Sequence, residues 1–103
     1  MNSADIDRLR QFLGAYFHQD WSADATDADG IIDRYLSDHS NKDEVAQMAA
    51  LIDAYAQRVS DDRQLERALV TELWCEFVPS TAGVRARDWL QHVAARLRAA
   101  AGG

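Results

Sequence analysis

Apolar residues recur every three or four positions along most of this chain, the spacing of a buried helical face. Ile6, Leu9, Leu13, Tyr16 and Phe17 form the first stripe and predict an opening helix, with Ser3 as its N-cap and Asp5 and Asp7 near the positive end of its dipole. Residues 21–27 are short, polar and acidic, and read as a loop. A second helix is expected over 28–38, with Ile31, Ile32, Tyr35 and Leu36 inward and Thr26 or Asp27 as cap. A third is expected over 43–59, its face made by Val45, Met48, Ala49, Ile52, Tyr55, Ala56 and Val59, with Ser40 or Asn41 as cap. Ser60 reads as the cap of a fourth, with Asp61 and Asp62 in its first turn and Leu65, Leu69, Leu73 and Trp74 inward. Residues 78–83 break the pattern and read as a loop, with Phe77 and Val78 extended ahead of it. A fifth helix follows over 86–99, with Leu90, Val93 and Leu97 inward and Trp89 on its flank; residues 99–103 read as a frayed end. No run alternates long enough to demand a strand. The expectation is an all-α, compact, single-domain bundle of about five helices with short antiparallel connections. Its core is expected to hold Leu13, Tyr16, Phe17, Tyr35, Ile52, Leu69, Leu73 and Leu90.

Length adds that 1–103 is one domain, large enough to bury roughly 60–70% of its unfolded surface and too small for a separate catalytic lobe. Pro79 is the only proline, which suits helix. The acidic start, Met1 to Asp7, lacks the apolar run of a secretory signal, and no segment approaches the ~20 apolar residues of a membrane span. Cys75 is the only cysteine, so an internal disulfide and multi-cysteine zinc ribbons are excluded. A cytoplasmic protein with no membrane partner is the expectation.

Charge changes the picture more. The net charge is −6, and residues 20–44 account for all of it: eight acids (Asp20, Asp24, Asp27, Asp29, Asp33, Asp38, Asp43, Glu44) against two bases, Arg34 and Lys42. Such a surface repels nucleic acid and suits a basic partner, although a merely solvated acidic face has the same composition.

The candidate chemistry is sparse. Asp27, Asp29 and Gly30 hint at a calcium loop, but with Gly30 at its sixth position the first and twelfth are Ala25 and Leu36, so both anchoring carboxylates are missing. His18, His39, His92 and Cys75 lack metal-site spacing, and no HExxH is present; no metal or cofactor is expected. Cys75 reads as a small buried apolar residue. No GxSxG or phosphate-binding glycine loop occurs, and no catalytic residue is assigned. His18 and Gln19 read as groups that satisfy free carbonyls at a helix C-terminus. Trp21 reads either as core or, beside so many acids, as an apolar binding anchor.

Residues 12–21, Phe-Leu-Gly-Ala-Tyr-Phe-His-Gln-Asp-Trp, place four large aromatics beside a His-Gln-Asp triplet. This run resembles a signature near the start of one family of contact-dependent growth inhibition immunity proteins, the CdiI type. Arg87, Asp88, Trp89 and Leu90 resemble a second segment of that family. The resemblance implies a non-enzymatic cytoplasmic protein that binds and neutralises the C-terminal toxin domain of a CdiA-type effector. Many such toxins are nucleases with basic clefts, which an acidic face would fit. Residues 84–88 lack the Ser or Thr that often caps the last helix in the family, which leaves its start open. From charge, the expected partner face is Asp20, Asp24, Asp27, Asp29, Asp33 and Asp38, with Trp21 as anchor. A helical adaptor or regulatory subunit unrelated to toxins shares the charge and fold, and is the alternative reading.

Overall fold

The computed structural model describes residues 1–102. Asn2, rather than Ser3, caps the first helix. Its side chain accepts from the Asp5 N–H at 2.9 Å, and the Asp5 carboxylate accepts from the Asn2 N–H at 3.3 Å. This reciprocal box satisfies two otherwise orphaned donors. Helix α1 (Ser3–Leu9) runs directly into a π-helical turn, Arg10–Gly14, in which the Ala15 N–H reaches back to the Arg10 carbonyl. The sequence explains the wide turn. Leu9, Leu13 and Phe17 repeat every four residues, and in an α-helix that spacing drifts by roughly 40° per step. A π turn absorbs the drift, and all three side chains are fully buried.

The acidic stretch expected to be loop holds a one-turn helix, α2 (Trp21–Asp24). Helix α3 (Ala28–Asp38) is capped by Asp27, which accepts from the Gly30 N–H at 2.8 Å. Helix α4 (Lys42–Gln57) is capped by Asn41. Helix α5 (Asp62–Thr71) is capped by Asp61, not Ser60; its carboxylate accepts from the N–H groups of Arg63 and Gln64. The chain then runs through non-helical residues 72–78 into a 3-10 turn, Pro79–Ala82, closed by Gly83 at φ +78°. Helix α6 (Ala86–Gly102) completes the fold, so six α-helices stand where about five were expected, and no strand occurs among the described residues.

Helices α4 and α6 form the central pair; α1 packs on α4, and α3 and α5 pack on α6. Of the expected core, only Tyr16 is not fully enclosed: it lies half-buried at the edge. Helix α6 runs on through the segment expected to be a frayed end, with Ala101 packed on the core and sharing a recess with Leu36 and Val45; Gly103 lies outside the described residues. Two expectations are corrected. Trp89 is 4% exposed, inside an aromatic cluster rather than on a flank. Trp74 is not inward: α5 ends at Thr71, and Trp74 stands 58% exposed.

The start of α6 is settled by a residue distant in sequence. The Asp62 carboxylate accepts from the Ala86 N–H at 2.9 Å and from the Arg87 N–H at 3.0 Å. It supplies the cap that residues 84–88 lack. Arg87 in turn donates to the carbonyls of Ala56 and Val59, at the C-terminal end of α4.

Candidate partner-binding surface

The aromatics of residues 12–21 split between core and rim. Phe12 stacks near Tyr35 with centroids 4.1 Å apart, and Phe17 meets Trp89 edge-on at 5.3 Å. Trp21 is partly buried, packed beside Phe17 and Phe77 at 6.1 and 5.5 Å. Most of its ring is therefore held by the fold. Tyr16 donates its hydroxyl to the Asp38 carboxylate at 2.7 Å. Burial first, then that hydrogen bond and the Asp38 charge, push the Tyr16 hydroxyl up to about 12.

His18 does not satisfy helix carbonyls. Its Nδ1 accepts from the Asp20 N–H at 3.1 Å, which leaves Nε2 to donate to Asp24 at 2.8 Å. The ring ties the end of the first helix to α2.

The seven residues expected at the partner face lie in one segment but have different surroundings. The Asp27 carboxylate is engaged as the α3 cap. Asp29 lies 2.8 Å from His92 Nε2 and 3.7 Å from an Arg96 nitrogen, and Asp33 pairs with Arg96. Asp38 is held by Tyr16, and Asp24 by His18. Asp20 is exposed, and among the described residues its carboxylate has no partner. The sequence concentrates negative charge here, while folding brings Arg96 of α6 across to offset part of it. No group of three or more His, Cys, Asp or Glu side chains is placed to hold a metal ion among the described residues.

A second surface was missed by sequence reasoning. Past α5 the Leu73 N–H returns to the Ala68 carbonyl at 3.3 Å and the Cys75 N–H to the Leu69 carbonyl at 3.0 Å. Between them Trp74 takes a left-handed conformation, φ +60°. That position at a helix end ordinarily goes to glycine or asparagine. Neither glycine nor proline marks this helix end, and the Leu65, Leu69, Leu73 spacing runs past it, so the sequence pattern hid the turn. The Arg10 guanidinium lies over the Trp74 ring, 4.2 Å from its centroid. A recess of about 370 Å³ beside it is lined by Asp7, Arg10, Gln11, Gly14, Ala15 and Trp74. Gly14 is required there, because a Cβ would stand 2.5 Å from the Leu73 carbonyl oxygen.

What these surfaces offer is contact chemistry: exposed carboxylates, a guanidinium and an indole fixed on a rigid helical frame. The chain belongs to the CdiI immunity protein family, whose family model matches residues 5–97. Members of that family are immunity proteins that neutralise a toxin, and as a class they are not catalytic. No curated protein and no solved structure gives a significant match. Among the described residues no helix is long and apolar enough to cross a membrane.

Proposed function

We propose that this protein binds one cognate toxin domain, the C-terminal domain of a CdiA-type effector, in the cytoplasm and blocks its active site, with no enzymatic activity of its own. The family match over residues 5–97 carries the reading. The charge distribution favours a toxin with a basic cleft, such as a nuclease, because residues 20–44 hold the whole net charge of −6. Blocking is then competitive with nucleic acid, since both seek the same positive surface. The proposed contact segment is Asp20, Trp21, Asp24, Asp27, Asp29, Asp33 and Asp38. Asp20 is exposed and unpaired among the described residues, and Asp24, Asp29 and Asp33 keep solvent-facing edges beside their partners, with side chains 38%, 43% and 63% exposed. The scale is adequate. The molecule exposes 5893 Å², and a standard interface takes about 800 Å² of each partner.

Co-expression is the test. Cells that make the toxin domain encoded beside this protein are expected to survive only when the protein is present, and the two are expected to co-purify in a one-to-one complex. Loss of viability despite folded protein and active toxin refutes the assignment. Protection without a physical complex points instead to an enzymatic or indirect mode.

A further inference from the structure

We infer that Trp74 is the apolar anchor of the toxin contact, presented to a recess on the toxin that is apolar at its floor and basic at its rim. The inference rests on the proposed toxin-binding function and adds the surface that performs it.

The argument starts from what the fold does not need. Trp74 occupies a backbone conformation that an L side chain with a bulky Cβ adopts at a cost. The residue is 58% exposed, so it gains little from the core in return. Asparagine or glycine would suit the turn better. The position is nevertheless fixed from several sides. Arg10 Nε donates to the Glu72 carbonyl at 2.7 Å, the Glu76 N–H to the Phe17 carbonyl at 2.7 Å, and the Cys75 N–H to the Leu69 carbonyl at 3.0 Å. Gly14 lets the π turn close against Leu73 and the Trp74 Cβ. The backbone that presents Trp74 is thereby fixed before any partner arrives, and Arg10 lies over one face of the ring. A rigid, exposed Trp is the side chain most often found at the energetic centre of an interface.

The surroundings choose the partner's chemistry. Glu76, two residues on, is exposed, and its carboxylate has no partner among the described residues; Cys75 between them is buried. Asp7, on the wall of the same recess, lies 3.5 Å from the Arg10 guanidinium and keeps a side chain 64% exposed. Ala15 lines this recess and also the neighbouring one, which is bordered by His18, Asp24 and Arg34. The recess beside Trp74 thus shares Ala15 with one bordered by Asp24 of the acidic segment, and Trp74 is an apolar point with the carboxylates of Asp7 and Glu76 near it and the Arg10 guanidinium over its ring. The matching toxin surface is an apolar recess with Lys or Arg at its edge. The other occupant of such a point, a second copy of this chain, would bury Trp74 in the free protein.

Trp74→Asn separates contact from folding, because asparagine tolerates the left-handed turn. The variant is expected to keep or raise the wild-type Tm and to bind the purified, catalytically inactive toxin domain encoded beside the gene at least ~30-fold more weakly. Independently of that variant, the otherwise unsubstituted protein carrying 5-fluorotryptophan gives one 19F signal each for Trp21, Trp74 and Trp89. The Trp74 signal should show a solvent isotope shift in the free protein and lose it in the complex. An unchanged Kd for Trp74→Asn, a Trp74 signal still solvent-exposed in the complex, or one already shielded in the free protein by self-association overturns the inference. Failure of the wild-type protein to bind the toxin overturns the proposed function instead.

Discussion

Cys75 lies beneath the 74–76 turn, with no exposed surface, and its thiol donates to the Phe77 carbonyl at 3.4 Å. Burial pushes this thiol up to about 12, from an ordinary value of 9.0. The sign of the consequence follows from proton counts. Between those two values the unfolded chain has lost the thiol proton and the folded chain keeps it, so stability falls as pH rises. The tyrosines Tyr16 and Tyr55 are raised too, each first by burial and then by a carboxylate partner, Asp38 and Glu72, and act in the same direction. Urea unfolding free energies should therefore be flat with respect to these groups below pH 9, drop by on the order of 1 kcal/mol per pH unit between pH 9 and 10, where Cys75 acts alone, and fall more steeply above pH 10 as the tyrosines join. Iodoacetamide should label Cys75 only as fast as the protein opens. Fast labelling of the native protein at pH 7 would contradict the burial. The sequence made Cys75 legible as a small buried residue, whereas its neighbour Trp74 was misplaced inward. The two differ because burial of Cys75 follows from composition, while Trp74 depends on where α5 stops, two residues past a leucine repeat that continues.

At the scale of elements, the helices cap one another. Asp62 opens α5 and caps α6, and Arg87 in the first turn of α6 closes the C-terminal end of α4. Asp62→Ala should lower unfolding free energy by about 1–2 kcal/mol through loss of the α6 cap. Arg87→Ala should cost a similar amount. Because Asp62 and Arg87 meet at the same helix start, the double variant should fall short of the sum, as read from urea midpoints in a double-mutant cycle. Strict additivity would mean that the two caps act separately. This arrangement also accounts for Arg87, Trp89 and Leu90 as structure rather than contact surface: Arg87 caps, and Trp89 and Leu90 are buried. Asn41 and Asp27 were each one of two adjacent cap candidates in the sequence, and the structure selects the one directly before its helix, as it selects Asp61 over Ser60. Asn2 displaced Ser3 because only Asn2 stands three residues ahead of Asp5, as the reciprocal box requires. The Asp62 cap was not legible, since donor and acceptor are 24 residues apart in sequence.

Across the whole molecule, the acidic segment divides by partner. Asp29 and Asp33 dock α3 on α6 through Arg96, with His92 beside Asp29, while at the other end Asp24 is paired with His18 and Asp20 has no partner among the described residues. Replacing Asp20 and Asp24 together by Asn should slow association with the toxin domain by a few-fold at low salt and flatten its salt dependence, with stability changed by less than about 1 kcal/mol. Replacing Asp29 and Asp33 by Asn should instead lower stability by about 0.2–1 kcal/mol per broken pair. Stopped-flow association and urea denaturation on the same two variants distinguish the roles. Equal association rates for wild type and the Asp20/Asp24 variant would remove electrostatic steering through that end.

Helix content, the inward faces of α3, α4 and α6 and the absence of a metal or nucleophile motif were fixed by local pattern, because apolar spacing and ligand spacing are properties of neighbours in sequence. Family membership belongs with them, since the family model matches on sequence over residues 5–97. The tertiary structure alone decided which carboxylates remain unpaired, that Trp21 is largely held by the fold while Trp74 is displayed, and that Asp62 begins the last helix. Each of these depends on two segments meeting across the bundle: α3 with α6, the first helix with the turn after α5, and α5 with α6. One-dimensional spacing carries no information about which polar groups such meetings will satisfy and which they will leave facing water.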